Sequence, residues 1–270
     1  MSHLHRELAP ISEAAWHEIE KEARRTLRTF LAARQVVDFS GPHGWEHSAE
    51  SLGRLERVPG PVDGVEAGVR VVAPLVELRH RFPLPRTTID DIDRGRPDPD
   101  LSAVVKAAKR AALAEDHIVF RGFKEAHITG IAEAAPYPPI QIAKKDTYSE
   151  YPKLVARAVS MLREAGIDGP YAAALGPRCW TGVIETTEYG GYPVLEHLRL
   201  ILGGPVVWAP AVDGAVVLST RGEDFHLTCG EDMALGYVTH DSGAVEMFLE
   251  ESIGFRVLTP EAAVALSHLG

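Results

Sequence analysis

The segment from Leu52 to Val72 places the tightest constraint on what this chain can fold into. Its pattern is strand-like, broken by Pro59-Gly60-Pro61-Val62-Asp63-Gly64, and it reads as a long hairpin with a flexible tip. Few of its residues are bulky and apolar, so the ribbon cannot support a core of its own. An extended ribbon of that kind has to lie on another surface.

The rest of the chain can build a core. It has 270 residues, of which 45% are hydrophobic and 24% charged, the balance of a globular protein of one large or two modest domains. The net charge of −10 argues against wrapping nucleic acid, which needs clustered Lys and Arg. Cys179 and Cys229 are the only cysteines and lack CxxC spacing, which suggests a reducing compartment without disulfides or structural zinc. No apolar run reaches the ~18 residues of a membrane span, and Met1 to Pro10 lacks an apolar signal core, so the expected address is the cytoplasm.

Several elements are legible. Ser12 caps an amphipathic helix with Ile11 and Trp16 placed as a hydrophobic staple, and Trp16, Ile19, Ala23, Leu27, Phe30 and Leu31 form its apolar stripe. Val76, Leu78, His80, Phe82 and Leu84 alternate with Glu77, Arg79 and Arg81 in a strand. Asp98-Pro99 reads as the start of a long helix ending near Gly122. After a linker at Pro136 to Pro139, a helix spans Leu154 to Ala165 and a strand Tyr171 to Leu175. Val206 to Pro210 and Ala215 to Ser219 read as a hairpin turning at Asp213-Gly214, and Pro260 as the start of a closing helix. The fold class is α+β.

No catalytic constellation is legible. HExxH, Walker A, GxGxxG and the nucleophile elbow are missing. Asp224-x-His226 and His240-Asp241 could each begin a metal site, but scattered surface histidines are the plainer reading, and no metal is expected. Cys179 reads as a small buried hydrophobe, and Glu231-Asp232 as strand neighbours pointing to opposite faces.

Ten strings in order resemble the encapsulins, nanocompartment shell proteins also known as linocin-type bacteriocins. They are LAPISEAAW (Leu8 to Trp16), VVDFSGPHGWE (Val36 to Glu46), PLVELRHRF (Pro74 to Phe82), IDDIDRG (Ile89 to Gly95), EDHIVFRG (Glu115 to Gly122), GIDGPY (Gly166 to Tyr171), GYP (Gly191 to Pro193), STRGEDF (Ser219 to Phe225), EDMALGY (Glu231 to Tyr237) and ESIGFRVLTPEA (Glu251 to Ala262). The resemblance implies the major capsid protein fold of tailed phages. Residues 1–48 would hold the N-terminal helix and the start of a peripheral domain, 49–74 an extended loop, and 75–135 the peripheral domain with its spine helix. Residues 136–222 would form an axial domain, and 223–270 the return to the peripheral domain.

The same resemblance implies a closed icosahedral shell of the smallest class, about 60 copies. A cargo enzyme such as a dye-decolorizing peroxidase or a ferritin-like protein would dock inside through a targeting peptide. The matching cargo-binding positions are Leu27, Phe30, Leu31, Arg34 and Asp38, with Ile253 and Phe255 as weaker candidates. The loop Glu185, Thr186, Thr187, Glu188, Tyr189, Gly190, Gly191 and Tyr192 would line a five-fold pore. Like charges about 8 Å apart there cost roughly 0.5 kcal/mol per pair in water and more in a constriction, so an acidic ring would favour cations. One relative stacks a flavin on a tryptophan where this chain has Thr87, so no flavin or other cofactor is expected. The alternatives are a phage or prophage capsid protein and, further off, a secreted bacteriocin or a stand-alone enzyme.

Overall fold

The structure is a computed structural model that describes residues 2–142, 148–188 and 190–268. Helix α1 (Glu13–Phe30) begins where the Ser12 Oγ accepts the Ala15 N–H. Strand β1 (Asp38–Ser40) leads into the hairpin of β2 (Ala49–Val58) and β3 (Ala67–Pro74). Next come β4 (Val76–Pro85), α2 (Arg86–Asp93) and the long α3 (Ser102–Arg121). Gly122, at φ +90°, turns the chain where a Cβ would strike the Gly130 nitrogen and the Ile128 carbonyl. That close approach lets β5 (Gly122–Phe123) pair with β6 (Ile128–Thr129) ahead of α4 (Ile131–Ala134).

The second half contains β7 (Ile140–Ile142), α5 (Tyr151–Glu164), β8 (Tyr171–Leu175), α6 (Pro177–Glu185) and α7 (Val194–Leu202). Strands β9 (Val206–Trp208), β10 (Ala215–Ser219), β11 (Phe225–Cys229), β12 (Ala234–His240), β13 (Ala244–Val257) and β14 (Ala263–His268) follow.

Two five-stranded sheets organise these elements. In the first, the order is β1-β11-β13-β12, and β4 pairs with the long β13. Phe82 and Leu84 of β4 point inward against α1 and α3, in a core that includes Ile19, Ala23, Val104 and Ala108. The second sheet runs β7-β14-β10-β8-β9 and is buried with α5 and α7. The alternation expected in β4 is present, and β8 occupies the expected residues.

The hairpin stands apart, with β2 and β3 pairing only with each other. Leu55, Val62, Val65, Val69 and Val72 are all exposed along it. Removing apolar surface from water yields roughly 25 cal/mol per Å², and this ribbon leaves that gain unrealised on its own subunit.

Four sequence expectations fail. Strands β9 and β10 do not form a hairpin; β8 lies between them, parallel to β9 and antiparallel to β10. Pro260 opens only a single turn, Pro260–Ala262, and the chain then enters β14 between β10 and β7. Residues 223–270 are therefore shared between both sheets. Helix α3 starts at Ser102, because Asp98 is held by the Arg96 guanidinium at 3.0 Å and Asp100 takes the Ser102 N–H at 3.0 Å. Glu231 and Asp232 lie in a bend before β12 rather than in a strand.

Candidate functional site

Helix α1 buries Ala15, Trp16, Ile19, Ala23 and Leu27 and then stops, because the chain must turn toward β1. Asp116 of α3 makes the stop: its carboxyl oxygens accept the Ala32 N–H at 3.0 Å and the Ala33 N–H at 2.9 Å. Burial lifts the Asp116 pKa to about 7, although those two N–H groups oppose the rise. Residue 34 is thereby fixed against α3.

Arg34 reaches the neighbouring Glu115 in a two-pronged contact, with Nε 2.9 Å from Oε1 and Nη2 2.6 Å from Oε2. Its Nη2 also lies 2.8 Å from Asp232 and 3.6 Å from Glu251. Burial pulls the guanidinium pKa down, but Glu115 and Asp232 more than offset this and raise it. Burial pushes the Glu251 carboxyl well above the carboxylate range, and the charge of Glu115 adds to the rise. Beside them, burial and then the charge of Asp232 push the Cys229 thiol up to about 12, so it stays protonated and inert.

This cluster forms one end of a cleft of about 420 Å³. Ala23, Leu27 and Leu31 line one side, Met233, Leu235 and Leu249 another. Leu4, Arg6, Glu20, Arg24, Arg28 and Ala234 complete the lining. The N-terminal segment is held there by the Tyr237 N–H donating to the Leu4 carbonyl at 2.9 Å and by Arg6, which pairs with Glu20 and sits 4.1 Å above the Trp16 ring. A trough that mixes leucine and methionine side chains with charged ones along its length is a shape that accepts an extended peptide carrying both aliphatic and polar side chains.

Of the expected cargo-binding positions, Leu27, Leu31 and Arg34 meet in this cleft. Phe30 does not line it; its ring packs against Trp208 at 5.2 Å and under Lys109. Asp38 lies in β1, where its carboxylate accepts the Glu223 N–H, and it does not line the cleft. Ile253 and Phe255 are buried core residues of β13 with no surface to offer. Leu4, Asp232, Met233, Leu235 and Leu249 line the same cleft, and no local pattern signals that these distant segments converge there.

The second candidate is the loop between α6 and α7. Glu185 is exposed at the last position of α6, Thr186 caps that helix, and Thr187 bridges to Pro193. Glu188 donates its N–H to the Tyr192 carbonyl at 2.8 Å and accepts the Gly191 N–H at 2.9 Å. The tight turn needs positive φ at Gly190 and Gly191, +96° and +81°. The Glu188 carboxylate is bonded to His197 Nδ1 at 2.7 Å, and the exposed Tyr192 ring meets that imidazole edge-on. Tyr189 lies outside the described residues.

The side chains of Asp224, His226, His240 and Asp241 each have a partner within the chain. Asp224 is paired with Arg221, and His226 with the Ser40 hydroxyl. His240 bonds the Tyr237 hydroxyl, and Asp241 takes the N–H groups of Gly243 and Ala244. Cys179 is buried and hydrogen-bonded to the Tyr151 hydroxyl. Thr87 is exposed on the first turn of α2.

A family model described as "Encapsulating protein for peroxidase" matches residues 1–254. The type 1 encapsulin shell protein of Rhodospirillum rubrum is 47% identical over 275 residues, covering 100% of this chain and 98% of that protein. Its counterpart in Mycobacterium tuberculosis is 46% identical over 268 residues, covering 99% and 100%. Among solved structures, a virus-like particle from Pyrococcus furiosus superposes with TM-score 0.65 at 17% identity, covering 93% of this chain and 99% of that one. The chain of Mycobacterium phage Bobi gives 0.59 at 13% identity, covering 91% and 90%. The fold is thus that of the phage capsid proteins.

Proposed function

Since the chain belongs to the type 1 encapsulin shell proteins, we propose that it assembles with about 60 copies of itself into an icosahedral compartment that packages a cargo enzyme. The chain is a structural subunit, not a catalyst. The observation that carries the assembly reading is the isolated hairpin, which exposes Leu55 and five valines and whose strands pair with no other sheet. A neighbouring copy supplies the surface the ribbon lacks.

The cleft at Leu27, Leu31 and Arg34 is read as the cargo site. Each aliphatic side chain buried there contributes about 1.5–3 kcal/mol, from which the ordering of the peptide is subtracted. Single sites are therefore weak, and an oligomeric guest binds by avidity. The family description points to a peroxidase as guest; a ferritin-like protein is the second choice. The loop from Glu185 to Tyr192 is read as the pore. Thr87 offers no ring on which to stack a flavin, so the shell is read as cofactor-free. No helix among the described residues is long and apolar enough to cross a membrane, and the proposed address is the cytoplasm.

Negative-stain microscopy and light scattering of the purified chain test the reading. Closed particles of uniform diameter are expected, and deletion of Val58 to Val65 is expected to weaken them while sparing the subunit fold. A stable monodisperse monomer of the intact chain at micromolar concentration would refute it.

A further inference from the structure

The N-terminal segment, residues 2–8, does more than complete the wall of the cleft. Strand β12 pairs only with β13, so its outer edge is open. The Tyr237 N–H on that edge is taken at 2.9 Å by the Leu4 carbonyl, and the Leu4 side chain lines the cleft with Leu27, Leu31 and Leu235. Leu4 thus occupies both features that an extended guest peptide would use, an unpaired strand edge and a place for an aliphatic side chain.

The segment is lightly held. Among the described residues, the bond from Tyr237 is its one backbone hydrogen bond to a strand. His5, at φ +50°, turns the chain in the left-handed region that side chains disfavour, and the pairing with β12 ends there. His3 stacks on the Trp45 ring at 4.5 Å, and its Nε2 faces Glu250 Oε1 at 3.3 Å, yet neither atom has a hydrogen-bond partner. Two buried polar atoms left unsatisfied weaken the seat. Arg6 anchors the other end on Glu20 and Trp16, but both members of that ion pair are about a third exposed, where such pairs hold weakly.

We propose, resting on the cargo reading of this cleft, that residues 2–8 form a displaceable strap, a self-ligand that the guest's targeting peptide dislodges. The guest peptide takes over the Tyr237 N–H and lays an aliphatic side chain where Leu4 sits. Until then the strap covers part of the β12 edge and sets a threshold that weakly binding apolar peptides do not pass. A strap seated about nine-tenths of the time lowers the apparent affinity of its competitor about tenfold.

Moving the strap onto another protein tests the assignment. The sequence from Ser2 to Leu8 is fused to the C-terminus of a tetrameric fluorescent protein, which supplies avidity, and co-expressed with the shell chain. Shells lacking residues 2–7 are expected to enclose about tenfold more of this protein than unaltered shells do. A tail carrying Leu4→Asp is expected to stay outside, and Leu31→Asp in the shortened chain to abolish uptake. Equal enclosure by unaltered and shortened shells, or none by the shortened ones, overturns the strap. If the shortened chain folds poorly, Leu4→Asp in the otherwise unaltered chain, at a half-buried position, takes its place and the same outcomes decide. The cargo reading fails separately: it falls if Leu31→Asp shells load the native guest in full, whatever the fused tail does.

Discussion

Glu251 stands 3.6 Å from the same Arg34 nitrogen that Glu115 holds at 2.6 Å, so one guanidinium serves two buried carboxyl groups unequally. Both oxygens of Glu251 are buried without a hydrogen-bond partner, which suits a neutral carboxyl better than a second anion.

A pH dependence follows from this pair. Burial, then the charge of Glu115, raises the Glu251 pKa, and burial lifts Asp116 to about 7. Each group therefore keeps a proton in the fold that the unfolded chain has released. The stability they contribute is complete below the unfolded values and drains away as pH rises through the folded ones. The denaturant midpoint is expected to fall between about pH 5 and pH 8. Glu251→Gln, which stays neutral, is expected to flatten that fall. A midpoint that rises across the window in the unaltered protein would contradict the account.

Arg34→Met removes the cation and leaves Glu115 buried and unpaired. Breaking a buried pair in this way costs about 3–5 kcal/mol. A large drop in the subunit's melting temperature is expected, and adding Glu115→Gln is expected to recover part of it. Equal melting of wild type and Arg34→Met would show that the cluster is not a structural joint.

Leu27 and Leu31 separate packing from cargo binding. Leu27 is 8% exposed and belongs to the core of the first sheet, so Leu27→Asp is expected to block assembly or solubility, since a buried unpaired charge costs several kcal/mol. Leu31 is half-buried on the cleft wall, and there a charge stays hydrated until a peptide arrives. Shells of Leu31→Asp are expected to form normally and to lose most of their guest on co-expression. Full loading of those shells would remove the cleft from the cargo reading.

At the loop, Glu188 is already engaged by His197, while Glu185 is exposed. Cation entry into the shell, followed by quenching of an enclosed dye with a transition metal, is expected to slow more in Glu185→Gln than in Glu188→Gln. The reverse ranking would place Glu188 on the axis instead.

The sequence was most informative where burial is periodic. Alternation along Val76 to Leu84 and the cap at Ser12 were readable because each depends on neighbours in the chain. By sequence Ala263 to His268 reads as helix, because a short apolar run after proline fits either state. Pairing on both sides, with β10 and β7, makes it strand. The charged cluster left no trace, because Arg34 and Glu115 lie 81 positions apart and neither stands in a motif. Arg34 and Asp38 part company because α1 stops at Phe30 under the hold of Asp116, and Asp38 then enters β1.

The place of β14 has a consequence for how the protein is made. Strands β8 and β10 are translated well before β14, yet β14 is the partner that covers the free edge of β10. Until it emerges from the ribosome, β10 offers unpaired backbone groups and the second sheet stays unfinished, a non-local closure of the slow kind. A chain abandoned before Ala263 therefore cannot complete this sheet, and β10 keeps an open edge.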